Sequence, residues 1–273
     1  MKDGGFLPAG ARRFLVGVLL FLAGCSGGGS DSSPAIPADL SLDIAALYSV
    51  VDTVTVLVSH EPGAEPFTGT VQAGLPTWSV LKSNIDALFG GRDIEPEVYV
   101  PETLSEMDQL PAQGQDTWTP EDIVALARDT WSPAPSSYET EFFVFFLKGY
   151  FDNQGTPDER IIGVSIVGTP VIAIFKDVVL SPGNPSRVSL YVEQATLVHE
   201  FGHVMGLVGN GVPMVRDHLD PEHPRHCSSS DCVMYWLNEG AADMMRFAGQ
   251  ALESGSAVMF CELCLDDARS FDP

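Results

Sequence analysis

Basic residues are scarce in this chain: 14 Lys and Arg stand against 37 Asp and Glu, for a formal net charge of -23. So acidic a surface repels phosphate backbones and anionic headgroups. It argues against nucleic acid and against electrostatic adsorption to lipid, and it favours neutral or basic partners. Long apolar runs are also missing. The stretch Phe14 to Ala23 has ten residues, about half of what a bilayer-spanning helix needs. There is no internal repeat, and 45% hydrophobic with 19% charged residues describes a globular protein with no extended disorder beyond its N-terminus. Cysteine is limited to five residues.

Within this frame the stretch Leu197-Val198-His199-Glu200-Phe201-Gly202-His203-Val204-Met205-Gly206 stands out. On a helix, the i,i+4 spacing stacks His199 and His203 on one face, with Glu200 beside them. Two neutral imidazoles hold a zinc ion and leave positions for a third protein ligand and a water, whose pKa the ion lowers toward neutrality. Glu200 is then the base that takes the water's proton and passes it to a leaving amine. A buried helix that merely contains two histidines would have to bury two imidazoles and a carboxylate with no common partner, which is costly.

The 273 residues are enough for one sizeable domain. Lys2, Arg12 and Arg13 precede the apolar run, which closes on Leu22-Ala23-Gly24-Cys25. A positive segment, a short apolar segment and small residues make a signal sequence. Gly27 to Asp39 is rich in Gly, Ser and Pro and reads as a flexible tether. Strands are expected at Thr53 to Val58, Glu97 to Pro101, Phe142 to Leu147 (central and buried on both faces), Ile161 to Val167 and Val171 to Phe175. Helices are expected at Trp78 to Phe89, stopped by Gly90-Gly91, and from Thr119 as N-cap with Pro120 next, to about Trp131. After the histidine helix almost no strand is expected. Besides Cys25, the cysteines form two close pairs, Cys227 with Cys232 and Cys261 with Cys264. They make either a tetrahedral zinc site or two disulfides, and either would tie the C-terminal tail to the loop beneath the histidines.

Two resemblances follow from these residues. Leu22-Ala23-Gly24-Cys25 resembles a bacterial lipobox. This implies removal of residues 1–24, acylation (palmitate) of Cys25, and, with Ser26 following, a lipoprotein anchored in the outer membrane. His199-Glu200-x-x-His203-x-x-Gly206 with Met234 downstream resembles the metzincin clan of zinc metallopeptidases. His226-Cys227-x-x-x-x-Cys232-x-Met234 followed by Cys261-x-x-Cys264 is similar to the archaemetzincin pattern, in which four cysteines hold a second, structural zinc. The metzincin resemblance spans Val192 to Cys264.

That resemblance implies an α+β fold with an N-terminal mixed sheet and helices, a zinc-binding active-site helix, and an irregular C-terminal subdomain with a Met-turn at Met234 and a final helix. A 25–39 tether would carry a 40–273 catalytic domain, divided into an upper subdomain (about 40–206) and a lower one (about 207–273). The clan places its third histidine three residues after the glycine, where this chain has Gly209. The loop is longer here, and His218, His223 and His226 are available. His226 keeps the family's distance to Met234 and is taken as the third ligand, with His218 as runner-up. The implied function is zinc-dependent endopeptidase: catalytic Glu200, metal ligands His199, His203 and His226, one catalytic Zn2+ and a second on Cys227, Cys232, Cys261 and Cys264. Its partners would be a peptide or protein substrate and the membrane, the latter through the N-terminal lipid only, with no nucleic acid and a monomeric state. The competing reading is a surface-tethered metzincin-like binding protein without peptidase activity. An intact Glu200 speaks against that, because a purely structural zinc needs no base.

Overall fold

The computed structural model describes residues 40–71, 75–130, 137–181, 187–236 and 241–273, all within the compact unit Ile36–Pro273. The expected signal sequence, Cys25 and the expected tether lie outside the described residues. Among the described residues no helix is long and apolar enough to cross a membrane. In chain order the elements are α1 (Ile44–Ser49), β1 (Thr53–His60), α2 (Ser79–Phe89), β2 (Glu97–Tyr99), β3 (Asp108–Gln109), β4 (Thr117–Trp118), α3 (Pro120–Thr130), β5 (Glu139–Leu147), β6 (Tyr150–Asp152), β7 (Pro157–Asp158), β8 (Gly163–Ser165), β9 (Val171–Phe175), α4 (Lys176–Leu180), α5 (Arg187–Val204), α6 (Ala241–Ser254) and α7 (Glu262–Ser270).

The fold is α+β around a mixed six-stranded sheet of order β2-β1-β5-β9-β8, with β3 also on β1. β1, β2, β5 and β9 run parallel, and β8 is antiparallel to β9. Phe142 to Leu147 is buried at every position, as its unbroken apolar run requires of a central strand covered on both faces. β8 is shorter than the expected Ile161 to Val167, because Thr169 and Gly168 already turn the chain toward β9. β2 stops at Tyr99, ahead of Pro101. A second sheet, β4-β6-β7, was not legible, since two or three residues carry no periodicity.

α3 begins as expected. Asp122 N donates to Thr119 Oγ1 and Thr119 N to Asp122 Oδ2, a reciprocal cap before Pro120. α5 is covered on most of its faces. Tyr191, Val192, Ala195, Leu197, Val198 and Phe201 are buried together with Glu193, Gln194, Thr196 and His199, so it runs through the interior with neighbours on most faces. The buried Glu193 carboxylate is balanced by Lys176, whose ammonium also sits 3.4 Å above the Phe67 ring, and by the Phe67 amide at 2.8 Å. Burial raises the Glu193 pKa against the pull of Lys176 and lowers that of Lys176 against the pull of Glu193. This pair fixes α5 to α4 and to the loop after β1. After α5, among the described residues, no strand forms, only isolated bridges.

Candidate metal centres

The end of α5 fixes the first cluster. Leu207 N donates to Gly202 O (3.0 Å) and Gly206 N to His203 O (3.1 Å), the two bonds of a Schellman cap. Gly206 supplies the required left-handed backbone at φ 86°. The helix therefore ends at Val204, one residue after His203, and the chain beyond Gly206 brings Asn210 back beside the His203 ring. His199 Nε2 and His203 Nε2 lie 3.2 Å apart. Nitrogens bound tetrahedrally at 2.0–2.1 Å from one ion would stand roughly 3.3 Å apart. His226 closes the set: its ring centroid lies 5.4 Å from that of His199 and 5.1 Å from that of His203. One ligand atom from each of the three falls within 4.8 Å of the others.

The outer nitrogens are held by the protein. His199 Nδ1 donates to Val233 O at 2.7 Å and His226 Nδ1 to Pro224 O at 3.2 Å. A carbonyl only accepts, so each ring keeps its proton on Nδ1 and offers Nε2 inward, the tautomer a metal needs. Asn210 Nδ2 stands 3.2 Å from His203 Nδ1 and donates to Leu207 O (2.8 Å), which places the amide at the outer edge of that ring, tied to the turn after the helix. Burial, together with the neighbouring His199, His226 and Arg225, holds the His203 pKa well below the ordinary imidazole value. Three imidazoles converging on one point are a ligand set for a zinc-like ion with one position open. Glu200, only 5% exposed, follows His199 in the helix.

The second cluster is made of Cys227, Cys232, Cys261 and Cys264, all free thiols with their sulfurs within 4.8 Å of one another. Cys227 Sγ is 3.8 Å from Cys261 Sγ, and Cys232 Sγ is 3.6 Å from Cys264 Sγ. Thiolates at 2.3 Å around a tetrahedral ion would be roughly 3.8 Å apart, so the residues fit such an ion. Backbone amides already point at two of the sulfurs: Cys261 N at Cys232 (3.3 Å) and Ser229 N at Cys227 (3.5 Å). The hydrogen bond from Cys232 helps pull the Cys227 thiol down to about 6.

The two clusters share a stretch of chain. His226 adjoins Cys227, and Val233, whose carbonyl holds His199, adjoins Cys232. Val233 N in turn donates to Met259 O (2.9 Å), and Met259 N to Asn84 Oδ1 on α2 (2.7 Å). Met234 is fully buried against Gly202, where a Cβ would collide with Met234 Sδ and come within 3.0 Å of Phe260.

Of the remaining loop histidines, neither joins the triad cluster. His218 lies between Asp267 (Nε2 to Oδ2, 2.6 Å) and Cys227 (Nδ1 to Sγ, 3.3 Å). Burial opposes its protonation, but the bonds to Asp267 and Cys227 outweigh burial and raise its pKa. His223 stacks on Trp236 with ring centroids 3.7 Å apart and bonds Asp220. Four participants escaped the sequence reading. Val233 acts through a backbone carbonyl, which no residue type announces. Asp267 and Asn84 looked like ordinary polar residues on helices. Asn210 had one signal, its place directly after Gly209, where a third histidine was expected.

The chain matches no protein-family profile and no curated protein. Among solved structures, the crystal structure of a zinc-dependent peptidase from Methanocorpusculum labreanum (strain Z) is similar, with 13% identity over 78% of this chain and 99% of that one and a TM-score of 0.44. So weak a likeness carries no argument about activity.

Proposed function

We propose that this protein is a zinc-dependent endopeptidase of metzincin-like build. The observation that carries this reading is the convergence of three imidazoles, His199, His203 and His226, on one point, with Glu200 next to the first of them on the same helix. Such a site with a closed fourth position would need no base, whereas an open one beside a carboxylate suits hydrolysis. His199, His203 and His226 would hold the ion, which would supply Lewis acidity to activate a water and polarise a carbonyl. Glu200 would accept the water's proton and deliver it to the departing amine. Met234 forms the apolar floor under the histidines.

β8 ends the sheet order and packs against α5, so an extended peptide can add to it through backbone hydrogen bonds and run past the histidines. The acidic charge favours neutral or basic peptides. A second ion on the four cysteines would be structural. The proposal includes an outer-membrane lipoprotein, tethered through Cys25 and monomeric.

The test is an assay of the full chain on a general peptide mixture, with metal stoichiometry measured in parallel. Cleavage should disappear with a chelator and return on adding zinc. Undiminished cleavage in the chelated, metal-free protein would sink the reading, as would the absence of any cleavage with the histidine site filled.

A further inference from the structure

The segment between Gly206 and His226 must carry the third ligand back to the helix, and two carboxylates of α7 hold its middle: Asp266, paired with Arg216 at the surface (2.6 Å), and the buried Asp267. Asp267 on α7 is 1% exposed, and both its oxygens are used. Oδ1 accepts from Val215 N at 2.7 Å and Oδ2 from His218 Nε2 at 2.6 Å. His218 then acts on the stretch that bears His226 in two ways. Its carbonyl accepts from Ser228 N (2.8 Å), and its other ring nitrogen faces Cys227 Sγ at 3.3 Å. The neighbouring residues continue the pairing, with Leu219 bridged to Cys227 and Asp220 N donating to His226 O (2.8 Å). The ring thus spans from a buried carboxylate to a ligand sulfur, with one nitrogen within hydrogen-bond distance of each.

We infer that Asp267 and His218 are positioning residues with two separable tasks: docking the 207–226 segment on α7 so that His226 reaches the other two histidines, and donating an N–H···S hydrogen bond to the ligand Cys227. This rests on the endopeptidase reading only in taking the three histidines as a metal site. It gives His218, which the sequence offered as a ligand, a role behind both ligand sets. Carboxylate–histidine partners of this kind orient ligands, and their loss costs about 10–100-fold in metal affinity.

The two tasks can be separated by side-chain shape. Glutamine places its amide nitrogen where histidine has Nε2, and asparagine places it where histidine has Nδ1. His218→Gln therefore keeps the bond to Asp267 and loses the one to Cys227, whereas His218→Asn does the reverse. The full chain is loaded with Co(II), whose thiolate charge-transfer absorption reports the cysteine cluster, and equilibrium dialysis measures the second, histidine-bound equivalent. His218→Gln should shift the sulfur band and leave the second equivalent's affinity within a few-fold of wild type. His218→Asn and Asp267→Asn should leave the sulfur band in place and weaken the second equivalent by about 10–100-fold.

Equal changes in both readouts for both His218 variants would reduce the array to general packing and overturn the inference. So would no change in either. If Asp267→Asn fails to fold, the His218 pair still decides. A wild-type chain that takes up only the cysteine-bound equivalent would fell the metal-site reading itself and this inference with it, whereas unaffected variants of a chain that binds both would fell this inference alone.

Discussion

Three imidazoles and four thiols are gathered from overlapping stretches of chain, but by different means. The histidine cluster takes two ligands from consecutive turns of α5, which is rigid because it is buried, and one from a loop. The cysteine cluster takes two from that same loop and two from the start of α7, and it supplies four donors where the other supplies three. Four donors close a tetrahedral ion, and three leave it open to a substrate. The cysteine loop carries His226 and the Val233 carbonyl that orients His199, and α5 meets that loop again where Gly202 packs on Met234.

The sharpest way to break this comparison is to open the closed site. Structural zinc sites hold about 10–16 kcal/mol of apparent binding free energy that is also folding free energy. Cys264→Ala should therefore lose both ions, with a collapse in thermal stability read by calorimetry. A variant that lost one ion and kept the histidine-bound one would show that the clusters are independent. Opening the other site should do less. His226→Ala should lose the histidine-bound ion and all hydrolysis while the cysteine cluster keeps its own, and His223→Ala, which removes only a ring stacked on Trp236, should keep both. Metal counts on the two variants check this, and an unchanged count in His226→Ala would remove the third ligand from the proposal. Smaller still in structural terms, Glu200→Gln should keep both ions and the melting temperature yet slow hydrolysis by roughly a hundred- to ten-thousand-fold, the usual worth of a general base. Near-wild-type turnover would refute its role.

The same asymmetry decided what could be read in the sequence. α5 was legible because helix, ligand pair and base follow one period, and Gly206 marked its end. β5 was legible as an unbroken apolar run. α1, α4 and α6 gave no clear signal: two span five or six residues, and the third is set off by no cap that the pattern showed. The histidine loop was the hardest part. His218 and His226 are chemically identical in sequence, and only a turn separates them: Arg225, at φ 72°, bends the chain so that His226 faces α5, while Asp267 draws His218 the other way. A carboxylate 49 residues downstream leaves no local trace at His218.

The smallest expected effect tests the packing contact between α5 and the cysteine loop, Gly202 on Met234. Gly202 sits inside a helix, where alanine would be favoured by about 0.8–1 kcal/mol on propensity alone. Against this, an added Cβ collides with Met234 Sδ, stands 3.0 Å from Met234 Cε and 3.0 Å from Phe260 Cε1. The methionine can swing aside, but the ring edge of Phe260 yields little, and overpacking of this kind costs about 1–3 kcal/mol. The second effect should win narrowly, for a net loss of about 1 kcal/mol, which in a domain of this size lowers the melting temperature by about 2–4 °C. Because Met234 adjoins Val233, its displacement should also loosen the carbonyl that holds His199 and weaken the histidine-bound ion. If the contact is the cause, Gly202→Ala should cost less in a Met234→Ala background, with a coupling of about 0.5–3 kcal/mol in a double-mutant cycle. Additive costs would mean that Gly202 is small for some reason other than the methionine beneath it.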